Sequence, residues 1–215
     1  SHLDDIARVV SEETGKPRVE AINADLMCAL SATMHSIETM PSLFRPRRVG
    51  FGNLSVAMRY LGRRSYIQPR PLGVVAIIAP WNYPLGIPFS EAVMAVAAGN
   101  AVILKPSCET PFTGLEVLKA FIAAGVPEDL VQVVIGNGGR VGNALASSNV
   151  DRVIFTGSTE VGRNIMAAAA QRLTPVTMEL GGKDPMIVLS DADLQRAASA
   201  SSSPGISFAR SSSSI

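Results

Sequence analysis

Two segments of the chain place residues that could do chemistry directly after apolar stretches with the composition of buried strands. In the first, residues 79–84, two prolines stiffen a turn that presents the amide of Asn82. A rigid amide beyond a strand can hydrogen-bond a developing oxyanion, and an ordinary strand-to-helix turn explains the same residues equally well. In the second, Lys105 precedes Pro106 and Ser107. A lysine at a strand end can bind ribose hydroxyls or a phosphate, although surface lysines are common.

Glycine and hydroxyl residues follow a third apolar stretch, at 155–162. Backbone N–H groups at the start of a helix can bind an anion, and Gly157 and Ser158 would lie at that place. The alternative is a capped helix start, because Ser158 or Thr159 would cap well without any ligand. Upstream, residues 136–142 are glycine-rich but lack the G-x-G-x-x-G spacing of a dinucleotide loop, which favours a turn.

A glutamate, Glu179, closes a further apolar stretch and precedes Gly181 and Gly182. Partial burial at such a position would raise the pKa of the carboxyl group toward that of a useful general base. A solvent-exposed strand end is the competing interpretation, and the residues alone slightly favour it.

The elements that position these residues alternate along the chain. Residues up to about Leu61 are predicted to be mostly helical, with a long helix over 19–44. Short apolar strands then alternate with helices, which predicts an α/β fold with a doubly wound, Rossmann-like, mainly parallel sheet behind an N-terminal helical layer. The strands are expected at 72–79, 101–104, 131–135, 152–155, 176–179 and 186–189, and the helices at 86–98, 110–124, 141–146 and 158–171.

Composition limits the classes of partner and site. A net charge of +1 gives no electrostatic case for nucleic acid or an anionic membrane, and no apolar run reaches the length of a membrane span. The two cysteines, Cys28 and Cys108, lie far apart without further metal-ligand residues nearby, so we expect neither a disulfide nor a metal site, as fits the cytoplasm. Residues 1–198 form the expected domain, and the serine-rich segment 199–215 is predicted to be disordered.

Together, and in this order, these segments resemble the aldehyde dehydrogenase superfamily. The resemblance extends to about Ala198 and is most distinctive at residues 80–84, 105–107, 155–159 and 179–183. It implies NAD or NADP as cofactor, an aldehyde as substrate and a homo-oligomer for a full-length relative. The implied reaction is attack by a cysteine thiolate on the aldehyde, hydride transfer to the dinucleotide and hydrolysis of the thioester to a carboxylic acid.

The resemblance also assigns roles to individual residues. Asn82 would hold the oxyanion, and Glu179 would be the general base that activates water. Among the cofactor-binding residues, Lys105 would contact the adenosine ribose, Gly157 and Ser158 the pyrophosphate. Ile78 and Trp81 would line the path of the cofactor. Val161 would pack near the adenine, and Phe155 and Leu180 would lie near the nicotinamide. The implied set is completed by Ser107, Cys108 and Gly138.

Two departures from the family pattern lead to further expectations. Cys108 stands where relatives commonly carry a glutamate that binds the ribose hydroxyls, so we expect the cofactor preference to be relaxed toward NADP. The catalytic cysteine would fall at about residues 211–214, which are serines. We therefore expect the cofactor-binding part of such an enzyme, ending before the catalytic domain. A binding module without catalysis and a non-functional truncated product are the alternatives.

Overall fold

Helices with one apolar face build the N-terminal layer of the structure, a computed structural model that describes residues 2–182 and 187–202. They are α1 (His2–Thr14), α2 (Arg18–Glu20), a π-helical turn (Ala21–Leu26) and α3 (Met27–Leu43). Ile6, Ala7 and Val10 of α1 are buried because their spacing brings them to one side of the helix. Gly15, with φ of 74°, ends α1 in a conformation that other residues rarely adopt.

A small hairpin corrects the expectation that the chain is helical up to Leu61. Strand β1 (Arg47–Val49) pairs antiparallel with β2 (Ser65–Ile67), and the short helix α4 (Ser55–Tyr60) lies between them in sequence. Pro46 precedes β1 and disfavours continuation of the helical conformation through Arg45. The expectation is therefore wrong over β1, while the long helix predicted over 19–44 is confirmed, with a π-helical turn near its start.

A five-stranded parallel sheet forms the centre of the fold and confirms the predicted class. Its strand order is β5-β4-β3-β6-β7, so the chain winds outward from β3 in one direction and then returns to the other side. The central strand β3 is apolar throughout, and β4 is apolar up to Lys105, because helices cover both faces of the sheet. The strands are β3 (Val74–Ile78), β4 (Ala101–Lys105), β5 (Val131–Val133), β6 (Arg152–Gly157) and β7 (Val176–Leu180).

Helices pack on the two faces of this sheet and separate two apolar clusters. One cluster joins α1 and the first two crossover helices, α5 (Gly86–Ala97) and α6 (Pro111–Ala123), to the sheet. The other contains α7 (Asn143–Ala146), which follows a π-helical turn (Gly138–Gly142), and α8 (Thr159–Ala170). The strands therefore end at one edge, and β3 and β6 flank the point where the winding reverses, which is where such sheets bind ligands.

A carboxylate joins the N-terminal layer to the start of α6. The Glu13 side chain accepts hydrogen bonds from the backbone N–H groups of Phe112 and Thr113 at 2.8 and 2.7 Å. It also accepts one from the Thr113 hydroxyl at 2.6 Å. Because the first N–H groups of a helix have no intrahelical partner, Glu13 satisfies them from a distant part of the sequence.

The C-terminal part of the described chain departs from the predicted series. The prediction of a strand at 186–189 is wrong over Ile187–Leu189, because these residues form no strand. The side chains of Ile187 and Leu189 are exposed, and Met186 lies outside the described residues. Helix α9 (Leu194–Ser202) continues into the segment predicted to be disordered, whose residues 203–215 lie outside the described residues. Across the described ranges, no helix is long and apolar enough to cross a membrane.

Candidate functional site

A cavity of about 540 Å³ opens at the carboxyl ends of β3, β4, β6 and β7. Every residue that the sequence nominated for the site lines this cavity, although these residues come from separate strand ends, loops and helix starts. Parallel strands bring their carboxyl ends to one edge, which explains why distant sequence segments meet here. The predicted residues are Ile78, Trp81, Asn82, Lys105, Ser107, Cys108, Gly138, Phe155, Gly157, Ser158, Val161, Glu179 and Leu180.

The amide of Asn82 is oriented by its own backbone neighbour. Its Oδ1 accepts a hydrogen bond from the Tyr83 N–H at 3.1 Å. With the carbonyl side of the amide engaged in this way, the Nδ2 hydrogens are the groups that Asn82 can direct at a ligand in the cavity. The arrangement suits a donor to a developing negative charge.

A buried ion pair, which no sequence motif indicated, holds the loop that carries Asn82. Lys16 Nζ donates to Asp25 Oδ2 at 2.8 Å and to the Asn82 backbone oxygen at 2.7 Å. Asp25 Oδ1 accepts from the N–H groups of Leu85 and Gly86 at 3.2 and 3.0 Å, at the start of α5. Since the Asp25 side chain is 0% exposed, the pair links the N-terminal layer rigidly to the end of β3.

Lys105 ends β4 as predicted but is buried rather than extended into solvent. Lys105 is 2% exposed, and its Nζ donates to the Pro106 backbone oxygen at 2.8 Å. Burial lowers the pKa of the ammonium group below its usual value, and the nearby Cys108 opposes this effect. The exposed Cys108 donates through Sγ to the Gly136 oxygen at 3.3 Å, at the mouth of the same cavity.

The start of α8 combines a cap with space for a ligand. Ser158 Oγ accepts from the Val161 N–H at 3.3 Å, so the capping interpretation is confirmed. A Cβ added at Gly157 would come within 2.6 Å of the Phe155 ring, and both residues line the cavity. The first turn of a helix contains backbone N–H groups without an intrahelical partner, and these groups can donate hydrogen bonds to an anion. Gly157 has no side chain that would keep an anion from approaching them.

The glycine-rich segment at 136–142 is a turn, as its spacing indicated. Asn137 Oδ1 accepts from the Arg140 N–H at 3.1 Å and caps the π-helical turn that begins at Gly138. This places Gly138 on the cavity wall without the geometry of a G-x-G-x-x-G loop.

Glu179 ends β7 and lies opposite Thr156 in the register of β6 and β7. Glu179 is exposed, because β7 is the edge strand of the described sheet, so the solvent-exposed strand end that the residues slightly favoured is confirmed over partial burial. Its carboxylate lines the cavity nevertheless.

A second carboxylate, which the sequence did not single out, lies close to Glu179. Burial raises the pKa of Glu91 to about 7; the charge of Glu179 adds to the rise, and the Thr156 hydroxyl opposes it. Glu91 belongs to α5 and follows no strand end, so the pattern used for the other site residues could not find it.

Comparison with known proteins assigns the family. A sequence profile of the aldehyde dehydrogenase family matches residues 1–209. The chain belongs to the aldehyde dehydrogenase family. Among curated aldehyde dehydrogenases, the betaine aldehyde dehydrogenase of Vibrio vulnificus is 42% identical to this chain over 202 residues. That match covers 93% of this chain but 39% of the relative, so the chain spans about two fifths of the length of such a protein.

Two solved structures share the same fold. A structure described as an Escherichia coli NADP-dependent enzyme has a TM-score of 0.82 at 34% identity, over 98% of this chain and 42% of that one. An NAD⁺ complex of an aldehyde dehydrogenase from Bacillus cereus has a TM-score of 0.79 at 32% identity, over 91% of this chain and 38% of that one. Both structures therefore match the described sheet and its helices as a unit.

Proposed function

We propose that this chain provides the dinucleotide site and part of the catalytic site for NAD(P)-dependent oxidation of an aldehyde to a carboxylic acid. One observation carries the proposal: the residues nominated from the sequence line a single cavity at the reversal point of the sheet. Family membership supports it, and so does the NAD⁺ complex of the Bacillus cereus relative.

The cavity fits a dinucleotide by its shape and its donors. Gly157, which carries no side chain, would let a pyrophosphate approach the N-terminus of α8, and Lys105 would contact the adenosine ribose. Ile78 and Trp81 would line the path of the cofactor, Val161 would pack near the adenine, and Phe155 and Leu180 would lie near the nicotinamide. Ser107, Cys108 and Gly138 complete the proposed binding set. When bound, the dinucleotide supplies the hydride acceptor.

The catalytic part of the proposal concerns Asn82 and Glu179. Asn82 would direct its Nδ2 hydrogens at the oxyanion formed when a thiolate attacks the aldehyde. Glu179 would take a proton from the water that hydrolyses the thioester. Cys28 lies on α3 and Cys108 on the cofactor side of the cavity, so we assign neither cysteine of this sequence as the nucleophile.

The second candidate is a dinucleotide-binding module that performs no chemistry. The composition of residues 211–214, which are serines where the family places its cysteine, favours this candidate for the isolated chain. The two candidates differ in one assay, the aldehyde-dependent formation of NADH or NADPH. Turnover by this chain supports the first candidate and contradicts our assignment of the cysteines. Binding without turnover supports the second.

Calorimetric titration of the full chain with NAD and NADP tests the binding proposal that both candidates share. We expect saturable binding, and we expect Gly157→Ala to weaken it by about tenfold, because the new Cβ would clash with the Phe155 ring, which lines the cavity. Gly50→Ala is the matched control, since a Cβ there meets its nearest neighbour at an ordinary 3.8 Å. Absence of binding of either dinucleotide, or equal binding by the Gly157 variant, contradicts the proposal.

The same titration measures the cofactor preference. An uncharged residue at Cys108 leaves no anion to repel the 2′-phosphate of NADP. We propose that NADP is accepted alongside NAD, and much tighter binding of NAD would contradict this. For partners and location, we propose an aldehyde substrate, homo-oligomers of the longer enzyme and a cytoplasmic setting, which two separate, exposed free cysteines support.

A further inference from the structure

The side-chain amide of Asn82 has two ends of opposite electrical character, and one of them can face the cavity. The Nδ2 end donates hydrogen bonds and favours a developing negative charge, whereas the Oδ1 end accepts them and repels such a charge. In the structure, Oδ1 is engaged by the Tyr83 N–H at 3.1 Å. The reverse orientation would bring the Nδ2 hydrogens against that N–H, and two donors repel each other. The Tyr83 N–H therefore decides which end of the amide is available to a ligand.

The peptide group that contains this N–H is held at its other end by Lys16. Its carbonyl belongs to Asn82 and accepts a hydrogen bond from Lys16 Nζ at 2.7 Å. Because a peptide group is planar, this contact also fixes the direction of the Tyr83 N–H. An ammonium group that donates to a carbonyl polarises the amide and makes its N–H a stronger donor. Lys16 thereby acts on the Asn82 side chain through the backbone.

The ammonium group of Lys16 is itself held from two further sides. The lysine side chain is 8% exposed, and its Nζ donates to Asp25 Oδ2 at 2.8 Å and lies 4.7 Å from the centre of the Tyr83 ring. Asp25 Oδ1 accepts from the N–H groups of Leu85 and Gly86. The loop is thus held at its start by the lysine and at its end by the aspartate.

Stability alone does not require a lysine at this position. Removing one partner of a buried ion pair is costly, but replacing both partners together by neutral residues is often neutral for stability. The cap on α5 is supplied by Asp25 Oδ1, and an asparagine oxygen could accept the same hydrogen bonds. An apolar residue in place of Lys16 could fill the space, but it could not donate to the Asn82 carbonyl.

We propose that Lys16 is a positioning residue, which acts through the peptide group between Asn82 and Tyr83 to keep the Nδ2 end of the Asn82 amide directed at the cavity. Asp25 holds the ammonium group in the place where it can do so. Neither Lys16 nor Asp25 is among the described residues that line the cavity. The inference rests on the proposed role of Asn82 at the oxyanion.

¹⁵N relaxation of the side-chain amides, measured by NMR on the full chain without cofactor, tests this role. The variant is Lys16→Met/Asp25→Asn, which removes the ammonium group, leaves no unpaired buried charge and retains an oxygen that can cap α5. Asn82→Asp identifies the Asn82 signal by its loss. We expect an order parameter of about 0.8 for Asn82 Nδ2 in the wild type and a value below about 0.6 in the variant.

Asn100 provides an internal reference in the same spectra. Both ends of its amide are bonded, since Oδ1 accepts from two backbone N–H groups and Nδ2 donates to the Ala95 oxygen. Its order parameter should therefore stay high in every variant. Lys119→Met is the matched control, because it removes the exposed lysine of another ion pair and should leave the Asn82 amide unchanged.

An Asn82 amide that stays ordered in the double variant overturns the proposal. Equal loss of order at Asn82 and Asn100 overturns it as well, because the ion pair would then support the whole fold and not one amide. Calorimetric titration of the same proteins with NAD and NADP separates this inference from the proposed function. Absence of dinucleotide binding, together with selective loss of order at Asn82, counts against the proposed function. Intact binding with an Asn82 amide that keeps its order counts against the positioning role.

Discussion

Site residues that follow a strand directly could be recognised from the sequence, whereas those that reach the site from elsewhere could not. Asn82, Lys105 and Glu179 each come at the end of an apolar strand, and the parallel sheet places such ends together. Asp25 and Lys16 act on a loop some 60 residues away, and a helical stretch with a lysine and an aspartate has many solvated interpretations. Long-range contacts of this kind require the tertiary structure.

The Lys16–Asp25 pair should contribute strongly to the stability of the fold. Asp25→Ala should lower the free energy of unfolding by about 3–5 kcal/mol, because it leaves the buried Lys16 ammonium without its carboxylate partner and two backbone N–H groups without an acceptor. Asp25→Asn should cost less, since its amide oxygen can still accept from Leu85 and Gly86. Urea denaturation monitored by circular dichroism measures both changes.

Lys16→Met provides the control for the pair. The double variant Lys16→Met/Asp25→Asn should be more stable than the sum of the single losses implies, because neither partner is then left as an unpaired buried charge. Simple additivity of the single losses would show that the two side chains do not interact energetically.

Elements were predictable where burial produces a pattern, and not where they are too short to have one. The strands of the sheet are covered on both faces, so each appears as an apolar run, as in β3. The hairpin strands β1 and β2 have three residues each and are largely exposed, so no periodicity distinguishes them from loops. Ile187–Leu189 are apolar and were predicted to form a strand, but they form none. An apolar composition does not by itself provide a neighbouring strand to pair with.

The end of α8 contains a backbone strain that a substitution should relieve. Leu173 has φ of 57°, a conformation that favours glycine, and its side chain is 89% exposed. The residue closes the helix, since Leu173 N–H donates to Ala170 and Thr174 N–H to Ala169. Leu173→Gly should therefore raise the free energy of unfolding by about 1 kcal/mol in a denaturation experiment.

Leu173→Ala separates strain from exposure. It removes the exposed apolar side chain but retains the Cβ that opposes the positive φ, so we expect no comparable gain. Equal stabilisation by alanine and glycine would attribute the effect to the side chain instead.

For the whole molecule, the class of fold followed from the alternation of elements, but the strand order did not. Any of several orders would satisfy the same apolar runs, and the order β5-β4-β3-β6-β7 depends on which crossover helix packs on which face. The position of the cavity depends on that order, so the sequence predicted its residues without predicting its shape.

Glu91 makes the stability of the whole chain depend on pH. Its pKa is raised from 4.5 to about 7 in the folded state, so between these values the unfolded chain releases a proton that the folded chain retains. The free energy of unfolding therefore falls as the pH rises from 4.5 to about 7, and the full loss is present above pH 7. The Glu91→Gln variant should have the same free energy of unfolding as the wild type near the acidic end of this range. At about pH 8 its free energy of unfolding should be higher by about 1–3 kcal/mol.

Denaturation in urea at several pH values measures this difference. Glu160→Gln, which alters an exposed glutamate, should follow the wild type throughout. A Glu91→Gln advantage that is constant with pH would show that the gain comes from packing and not from the proton.

The Glu13 contact has a consequence for the order in which the molecule assembles. Glu13 and its partners at the start of α6 are 99 and 100 residues apart, so α1 leaves the ribosome long before its acceptor site exists. Closing so long a loop is slow, and α1 contributes no nucleus to the sheet until α6 has formed. Helix α1 is thus synthesised well before α6 but docks only after it, and the amide protons of α1 should exchange before those of β3.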